Sequence, residues 1–139
     1  MDYNEAYGQA LRFLNVRFLS EGELRKKLKN KDIDTPIIEE VIVQLKEERF
    51  IDDMRLAYDV YHYFAKKEQY GHVYICQRLK HRMLPIPENL EKIDEYAVAK
   101  KILTKKFSQL PEDPRKIARF LQYRGFSLNI ISDILGNRS

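Results

Sequence analysis

The residues of this sequence best suited to bind a metal are His72 and Cys76, which lie four positions apart. Residues four apart share one face of a helix, so an imidazole and a thiolate would lie side by side there. A closed zinc site needs four ligands, and the only further candidates are His62 and His81. His81 follows His72 by nine residues and falls on a different helix face. We therefore predict no metal site and no cofactor.

Two acidic pairs, Asp52-Asp53 and Glu47-Glu48, could act in general acid–base catalysis. The first pair also suits a helix N-cap, and the second suits a solvated helix face. Cys76 could be a nucleophile with a pKa lowered by Arg78, but no pattern for an oxyanion site accompanies it. The sequence has no Gly-rich phosphate loop, no GxSxG and no HExxH motif. We predict that the protein is not an enzyme.

Six aromatic residues lie close to basic residues in the middle of the sequence. Bases of a single-stranded nucleic acid could stack on such rings while the cations hold its phosphates. In the structural alternative, Tyr61 and Phe64 fill a joint between helical units and the other tyrosines are half exposed. We favour packing for most of them, which leaves one or two exposed rings for a partner. The set comprises Tyr58, Tyr61, Tyr63, Phe64, Tyr70 and Tyr74, beside Lys66, Lys67, Arg78 and Arg82.

The segment 25–31, with the sequence RKKLKNK, is strongly basic. It could be a solvated face whose cations complement the C-terminal end of a helix dipole. It could also bind phosphates or an acidic protein surface. The residue types alone leave both interpretations open.

Helices must position all of these residues. The chain has 139 residues, of which 44% are hydrophobic and 33% charged, with only five Gly and five Pro. Apolar residues recur every three or four positions, and no stretch alternates with the period of a half-buried strand. In the first helix, Tyr7, Leu11, Leu14 and Phe18 form the predicted inward stripe. We predict an all-α protein large enough to bury a hydrophobic core.

Capping signals predict where the helices begin. We expect one helix, or two, to cover the segment from about 88 to 107 after the prolines at 85 and 87. The predicted caps are Ser20, with Glu23 completing a capping box, Thr35 followed by Pro36, an aspartate at 52 or 53, Asp113 and Ser127.

An internal repeat links the two ends of the chain. The segment from Ala10 aligns with the segment from Ile117 at six identical positions in nineteen, and a weaker copy begins at Gly71. A small helical unit cannot bury both faces of its helices, so neighbouring repeats must share a core. We predict three-helix repeats at 1–50, 51–93 and 94–139, forming an elongated, slightly curved monomer. The identities are Arg12/Arg119, Phe13/Phe120, Leu14/Leu121, Arg17/Arg124, Ser20/Ser127 and Leu28/Leu135.

Charge alternates along the chain with the same spacing. Residues 11–31 include seven basic and two acidic residues, whereas residues 34–53 include seven acidic and two basic ones. The net charge of +4 permits a nucleic acid or an acidic protein as partner and demands neither. A single cysteine, no long apolar run and no apolar signal segment at the N-terminus predict a cytoplasmic protein without a membrane anchor.

Four motifs in this order resemble the RecX family of regulators of the bacterial recombinase RecA. The resemblance extends over nearly the whole chain. Two departures are Tyr70, where the family often has a basic residue, and Met83, where a glycine usually ends the fifth helix. The motifs are Ser20-x-x-Glu23-Leu24-x-x-Lys27-Leu28, Phe50-Ile51-Asp52-Asp53-x-x-Leu56-Ala57, Gly71-x-x-x-Ile75-x-x-x-Leu79 and Arg124-Gly125-Phe126-Ser127.

The resemblance implies a non-enzymatic protein that lies in the groove of the RecA nucleoprotein filament on single-stranded DNA. Such proteins lower ATP hydrolysis, strand exchange and repressor co-cleavage, and they cap or destabilise the filament. An elongated monomer with basic and acidic faces suits this role, because many weak contacts add by avidity. The expected contact residues are Arg12, Arg17, Arg25, Lys26, Lys27, Lys29, Arg78, Arg82, Arg119 and Arg124.

Two other functions are compatible with the sequence. The interleaved cations and tyrosines would suit a sequence-tolerant single-stranded nucleic-acid-binding module with no recombinase partner. A purely structural helical adaptor would bind neither. For Arg17 and Arg124, a structural role at the corner between two helices is as well supported as a contact role, because a guanidinium suits both.

Overall fold

The computed structural model describes residues 1–136, and within that range the chain forms eight α-helices and no strand. The prediction of an all-α helical repeat protein is confirmed. None of these helices is both long and apolar enough to cross a membrane. The helices are α1 (Tyr3–Val16), α2 (Glu21–Lys29), α3 (Thr35–Glu47), α4 (Asp53–Lys66), α5 (His72–His81), α6 (Glu95–Lys106), α7 (Pro114–Tyr123) and α8 (Leu128–Gly136).

Two compact units divide the chain, and the division falls within α4 and α5. The first comprises Met1–Tyr58 with Lys80–Pro87, and the second comprises Asp59–Leu79 with the chain from Glu88 onward. The three-repeat division with boundaries after residues 50 and 93 remains a prediction. The last three residues of its third repeat, 137–139, lie outside the described residues.

The core of the first unit lies among α1, α2 and α3. Leu24, Leu28 and Leu45 are completely buried there. Ala6 and Ala10 are the buried positions of α1, so this helix approaches its neighbours through small side chains. Tyr7, Leu11 and Leu14 pack beside them and are only partly buried. Phe18 departs from the predicted stripe: α1 ends at Val16, and 73% of Phe18 is exposed.

The second unit has its own core among α6, α7 and α8, built around Ala99, Ile117 and Leu121. A close backbone contact joins α5 to the turn after α7 in the same unit. The N–H of Gly71 donates to the carbonyl of Arg124 at 2.8 Å, and the N–H of Val73 donates to that of Gly125 at 3.2 Å. A Cβ on Gly71 would lie 2.4 Å from the Gly125 carbonyl oxygen, so this approach requires glycine.

Most predicted helix starts agree with the structure. Ser20 and Glu23 form a complete capping box, and the Asp52 carboxylate accepts from the N–H of Arg55 at 3.1 Å at the start of α4. Asp113 accepts from the N–H of Arg115 at 3.0 Å, and Ser127 accepts from that of Ile130 at 3.3 Å. Local side-chain chemistry therefore fixes these boundaries.

Two boundary predictions are wrong. The N-cap of α3 is Asp34, and Thr35 is the first helical residue. Residues 88–94 are not helical: α6 begins only at Glu95, after Asp94 caps it by accepting from the N–H of Ala97 at 3.1 Å. A favourable cap at Asp94 thus sets the start of α6 although the apolar spacing begins earlier.

The same carboxylate contact occurs once in each unit. The side chain of Asp53, the first residue of α4, accepts from the N–H of Glu21, the first residue of α2, at 2.8 Å. In the second unit, the side chain of Glu95, the first residue of α6, accepts from the N–H of His72, the first residue of α5, at 3.2 Å. A carboxylate at a helix N-terminus pairs with a free N–H and with the positive end of the dipole.

Candidate partner-binding surfaces

Buried polar groups hold the N-terminus of α2. The Ser20 side chain is fully buried, and its hydroxyl accepts from the N–H of Glu23 at 3.0 Å and donates to the Arg82 carbonyl at 2.7 Å. The Glu23 carboxylate accepts from the N–H of Ser20 at 2.9 Å. Each polar atom of the Ser20 side chain and backbone amide thus has a partner within the first unit.

Arg82 completes this network. Its Nε and Nη2 donate to the two carboxylate oxygens of Glu23 at 3.2 and 2.9 Å, and Nη2 also donates to the carbonyl of Phe18 at 2.9 Å. Burial alone would raise the pKa of Glu23, but hydrogen bonds from Arg82 and from the Ser20 N–H outweigh it and lower that pKa. The guanidinium of Arg82, with 18% of the side chain exposed, is therefore directed into the protein.

Arg25 is also paired within the first unit. Its Nε and Nη2 donate to the Glu39 carboxylate at 2.8 and 3.1 Å, and Nη2 lies 3.3 Å from Glu21. The hydrogen bond to Glu39 raises the pKa of Arg25, and the same bond lowers the pKa of Glu39. The charge of Arg25 is thus balanced by carboxylates of α2 and α3.

The remaining predicted cations of α2 are three exposed lysines, Lys26, Lys27 and Lys29, which we call the lysine face. None of them forms an ion pair with another residue in the range 1–136. The Nζ of Lys27 lies 5.3 Å from the centre of the Phe13 ring. Cations without carboxylate partners remain available to an anionic surface.

Arg12 and Arg17 differ in their surroundings. Arg12 is exposed on α1 and has no ion pair in the described part of the chain. The Nη2 of Arg17 lies 3.2 Å from the Glu23 carboxylate, although 59% of the Arg17 side chain remains exposed. Arg17 therefore forms an ion pair within the first unit and also leaves part of its side chain exposed to a partner.

An open groove of about 570 Å³ lies beside Arg12 in the first unit. The exposed fractions of its two aromatic residues, Phe18 and Phe50, are 73% and 47%. Sequence reasoning missed this groove because it placed Phe18 in the core. A usable signal was that Phe18 follows the helix end and precedes the cap of α2. The lining residues are Leu11, Arg12, Leu14, Asn15, Phe18 and Phe50.

In the second unit, the predicted cations lie beside aromatic rings. The guanidinium of Arg78 lies 5.7 Å from the centre of Phe64, and that of Arg124 lies 5.7 Å from Tyr70 and 5.4 Å from Phe120. Arg119 is exposed on α7. Of the ten predicted contact residues, Arg78, Arg119 and Arg124 thus lie in the second unit, and the other seven lie in the first.

The central aromatic residues combine packing with limited exposure. Tyr70 and Tyr74 are stacked with ring centres 4.1 Å apart, and Phe64 meets both rings edge-on. Tyr61 is buried, whereas 59% of Tyr63 is exposed, with Lys67 Nζ 4.6 Å from its ring centre. Packing thus accounts for Tyr61 and Phe64, and Tyr63 is the ring most open to a partner in this set.

His72 contacts both Cys76 and Tyr61. The Cys76 sulfur lies 3.3 Å from His72 Nε2, and the Tyr61 hydroxyl lies 2.7 Å from His72 Nδ1. Burial raises the pKa of Cys76, so the idea that Arg78 lowers it is wrong. Across residues 1–136, no three His, Cys, Asp or Glu side chains are grouped to hold a metal ion.

Comparison with known proteins identifies the family. The model of the first three-helix domain of RecX matches residues 6–45, and that of the third three-helix domain matches residues 93–135. The fold is also that of the crystal structure of RecX from Lactobacillus salivarius, with a TM-score of 0.82 over 97% of this chain and 95% of that one, at 23% identity.

Two curated relatives match over most of their length. Regulatory protein RecX of Leptothrix cholodnii is 31% identical over 92% of this chain and 85% of its own. Regulatory protein RecX of Chlorobaculum tepidum is 31% identical over 98% of this chain and 92% of its own. Sequence, domain order and fold agree, and the chain belongs to the RecX family of regulatory proteins.

Proposed function

We propose that this protein is mainly a negative regulator of RecA. It binds in the groove of the RecA filament on single-stranded DNA and lowers ATP hydrolysis, strand exchange and repressor co-cleavage by capping or destabilising the filament. Membership of a family of regulatory proteins named RecX is the observation that carries this proposal. In this role the protein acts as a cytoplasmic monomer in homologous recombination, DNA repair and the SOS response. It needs no cofactor and catalyses no reaction.

The lysine face is the surface best suited to the filament. Lys26, Lys27 and Lys29 project from one helix without carboxylate partners in the described residues, so binding would not require breaking an internal ion pair. Phosphates and acidic protein surfaces both attract such a cluster. Contacts of this kind are individually weak, and repeated engagement along a polymer would make them additive.

The ten predicted residues then fall into two roles. Arg25 and Arg82 position α2 through Glu39 and Glu23, so they support the lysine face. Lys26, Lys27 and Lys29 make the contact. The exposed or partly exposed remainder provides secondary contacts elsewhere on the protein: Arg12, Arg17, Arg78, Arg119 and Arg124.

Charge reversal of the lysine face tests this proposal. We expect the wild-type protein to lower the single-strand-dependent ATPase of RecA progressively, and the triple variant Lys26→Glu, Lys27→Glu, Lys29→Glu to need at least about tenfold more protein for the same effect. Co-sedimentation with assembled filaments should weaken in parallel. Arg25 is left unchanged, because a glutamate there would face Glu21 and Glu39 and disturb the fold.

A matched control changes the same total charge elsewhere. Lys105, Lys106 and Lys116 are exposed in the second unit, and their replacement by glutamate should leave inhibition nearly unchanged. Equal losses in both triple variants would show a general charge effect and contradict the role of the lysine face. No inhibition by the wild-type protein in excess, with the recombinase of its own cell, would contradict the regulatory function itself.

The aromatic residues of the second unit favour one alternative, a sequence-tolerant single-stranded nucleic-acid-binding module. Tyr63 is exposed beside Lys67, and the stacked Tyr70 and Tyr74 lie beside Arg124. Rings flanked by cations suit unpaired bases. Under this alternative, bare single strands bind tightly with a steep salt dependence, without preference for coated filament, and Tyr63→Ala weakens binding.

A further inference from the structure

We propose that the groove beside α1 is a docking site for a short acidic segment of a partner protein that carries an apolar side chain. Two exposed phenylalanines, Phe18 and Phe50, and two leucines of α1 supply the apolar lining. Its volume of about 570 Å³ is in the range of ligand-binding clefts. Among the described residues, Arg12 is the charged member of this lining.

The backbone of Phe18 is held on its C-terminal side. Arg82 donates to the Phe18 carbonyl at 2.9 Å, and the next two residues, Leu19 and Ser20, are buried at 2% and 0% exposure. An exposed ring on a backbone held in this way loses little conformational freedom when a partner covers it. The backbone at Phe18 is therefore already ordered before a partner binds.

Phe50 is also held by its backbone, in a Schellman motif that ends α3. The N–H of Phe50 donates to the carbonyl of Leu45 at 2.9 Å, and that of Arg49 donates to Lys46 at 3.1 Å. Arg49 occupies the left-handed position of this motif with φ of 62°, where glycine is usual. The motif places an exposed arginine directly beside the second phenylalanine of the groove.

Charge favours an acidic occupant. Arg12 in the lining and Arg49 beside Phe50 are both exposed. The acids two positions on either side of Phe50 are already engaged, because Glu48 accepts from the Tyr7 hydroxyl and Asp52 accepts from the N–H of Arg55. Arg12 forms no ion pair in the described part of the chain. An acidic segment would therefore meet unpaired positive charge beside an apolar surface, and its apolar side chain would lie between Phe18 and Phe50.

The third repeat lacks the main element of this groove. Arg119 stands at the position equivalent to Arg12, but Gly125 replaces Phe18, and Gly125 is buried against the backbone of Tyr74. The repeat therefore supplies a natural control in which the arginine is retained and the exposed ring is absent. The inference goes beyond the proposed function, since it concerns peptide chemistry and does not require RecA to be the partner.

The experiment uses a fluorescently labelled peptide of about twelve residues, rich in glutamate and containing leucine and one phenylalanine. Fluorescence anisotropy with the full chain should show saturable binding. Phe18→Ser and Arg12→Glu should each weaken it at least about tenfold. Tyr123→Ser, at a residue that is 83% exposed, and Lys116→Glu, at an exposed cation of α7, are the matched controls and should change affinity less than about twofold. Circular dichroism verifies that each variant is folded.

Two further peptides identify the chemistry that is bound. In one peptide all glutamates are replaced by lysine, and in the other all apolar residues are replaced by serine. Neither peptide should bind. Equal affinity of either peptide, or an unchanged affinity of Phe18→Ser, would overturn the proposal. So would sedimentation showing that Phe18→Ser alters the association of the free protein, because a second copy would then cover the groove. No recombinase takes part, so a failure here is distinct from a failure of RecA inhibition.

Discussion

The turn before α2 in the first repeat and the aligned turn before α8 in the third repeat differ in their exposure. In the first repeat the turn presents Phe18 to solvent, while Arg82 holds the Phe18 carbonyl. In the third repeat the equivalent residue is Gly125, which is buried with φ of 85° and whose carbonyl accepts from the N–H of Val73. The comparison shows that the residue at one position of a repeated turn decides whether the turn is exposed to solvent or packed against another part of the backbone.

The caps that follow these turns also differ. Ser20 takes part in a capping box with Glu23, and Arg82 binds that glutamate. Ser127, the equivalent serine, accepts from the N–H of Ile130, and Ile130 stands where the first repeat has Glu23. The first repeat therefore relies on a partly buried ion pair at this point, and the third relies on close backbone packing.

The largest expected effect comes from adding a methyl group to the packed turn. In Gly125→Ala, the Cβ would lie 2.3 Å from the backbone nitrogen of Tyr74, in a conformation that alanine rarely adopts. We expect the free energy of unfolding to fall by more than about 3 kcal/mol, measured by urea denaturation. Gly136→Ala, where an added Cβ meets nothing within 4 Å, is the control. A loss below about 1 kcal/mol would contradict the tight packing.

The two cap serines provide the next test. Ser20 is fully buried and its hydroxyl makes two hydrogen bonds, whereas Ser127 is partly exposed and its hydroxyl makes one. We expect Ser20→Ala to cost about 2 kcal/mol and Ser127→Ala about 1 kcal/mol or less. Thermal or urea unfolding of the two variants gives the comparison directly. Equal losses would show that the Arg82 carbonyl contact contributes nothing.

Acid should weaken the first repeat through Glu23. Its pKa is lower in the folded protein than the unfolded value of about 4.3. The unfolded state therefore binds more protons in this range, so the stabilisation is complete above about pH 4.3 and is lost as the pH falls through the folded pKa. Glu23→Gln should lower the free energy of unfolding by about 1 kcal/mol at neutral pH, and that free energy should then fall less steeply as the pH is lowered. An unchanged slope would mean that other carboxyl groups dominate.

The smallest expected effect is that of Phe18→Gly, which gives the first turn the residue of the third. Because 73% of Phe18 is exposed, the substitution removes little buried apolar surface. We expect the free energy of unfolding to change by no more than about 1 kcal/mol. A loss of several kcal/mol would show that Phe18 belongs to the core after all. That result would also remove the basis of the docking groove.

Much of the fold follows from local patterns in the sequence. Ser20, Asp52, Asp113 and Ser127 each accept a backbone N–H at a predicted helix start, because capping needs only neighbours within three residues. The segment 88–94 was predicted wrongly because apolar spacing continues through it, although the helix starts only after the Asp94 cap. Spacing indicates which face is apolar but does not fix where a helix begins.

The candidate surfaces were less predictable, because they depend on pairs that are distant in sequence. Arg25 and Lys26 are adjacent and both basic, yet Arg25 binds Glu39 while Lys26 is exposed. The contact between Arg82 and Glu23 spans 59 positions, and nothing in the local pattern around either residue indicates it. Sequence reasoning therefore identified the basic segments but could not separate free cations from those paired within the fold.

The carboxylates of Asp53 and Glu95 have a consequence for how this chain can be divided. Each lies at the start of one helix and completes the N-terminus of a helix that begins more than twenty residues earlier. A fragment cut after residue 50 would contain all of α2 but lack the acceptor for its first amide. A gene duplication can copy a segment such as 1–50. The copied second helix has an acceptor for its first amide only when the next segment begins with an acidic residue.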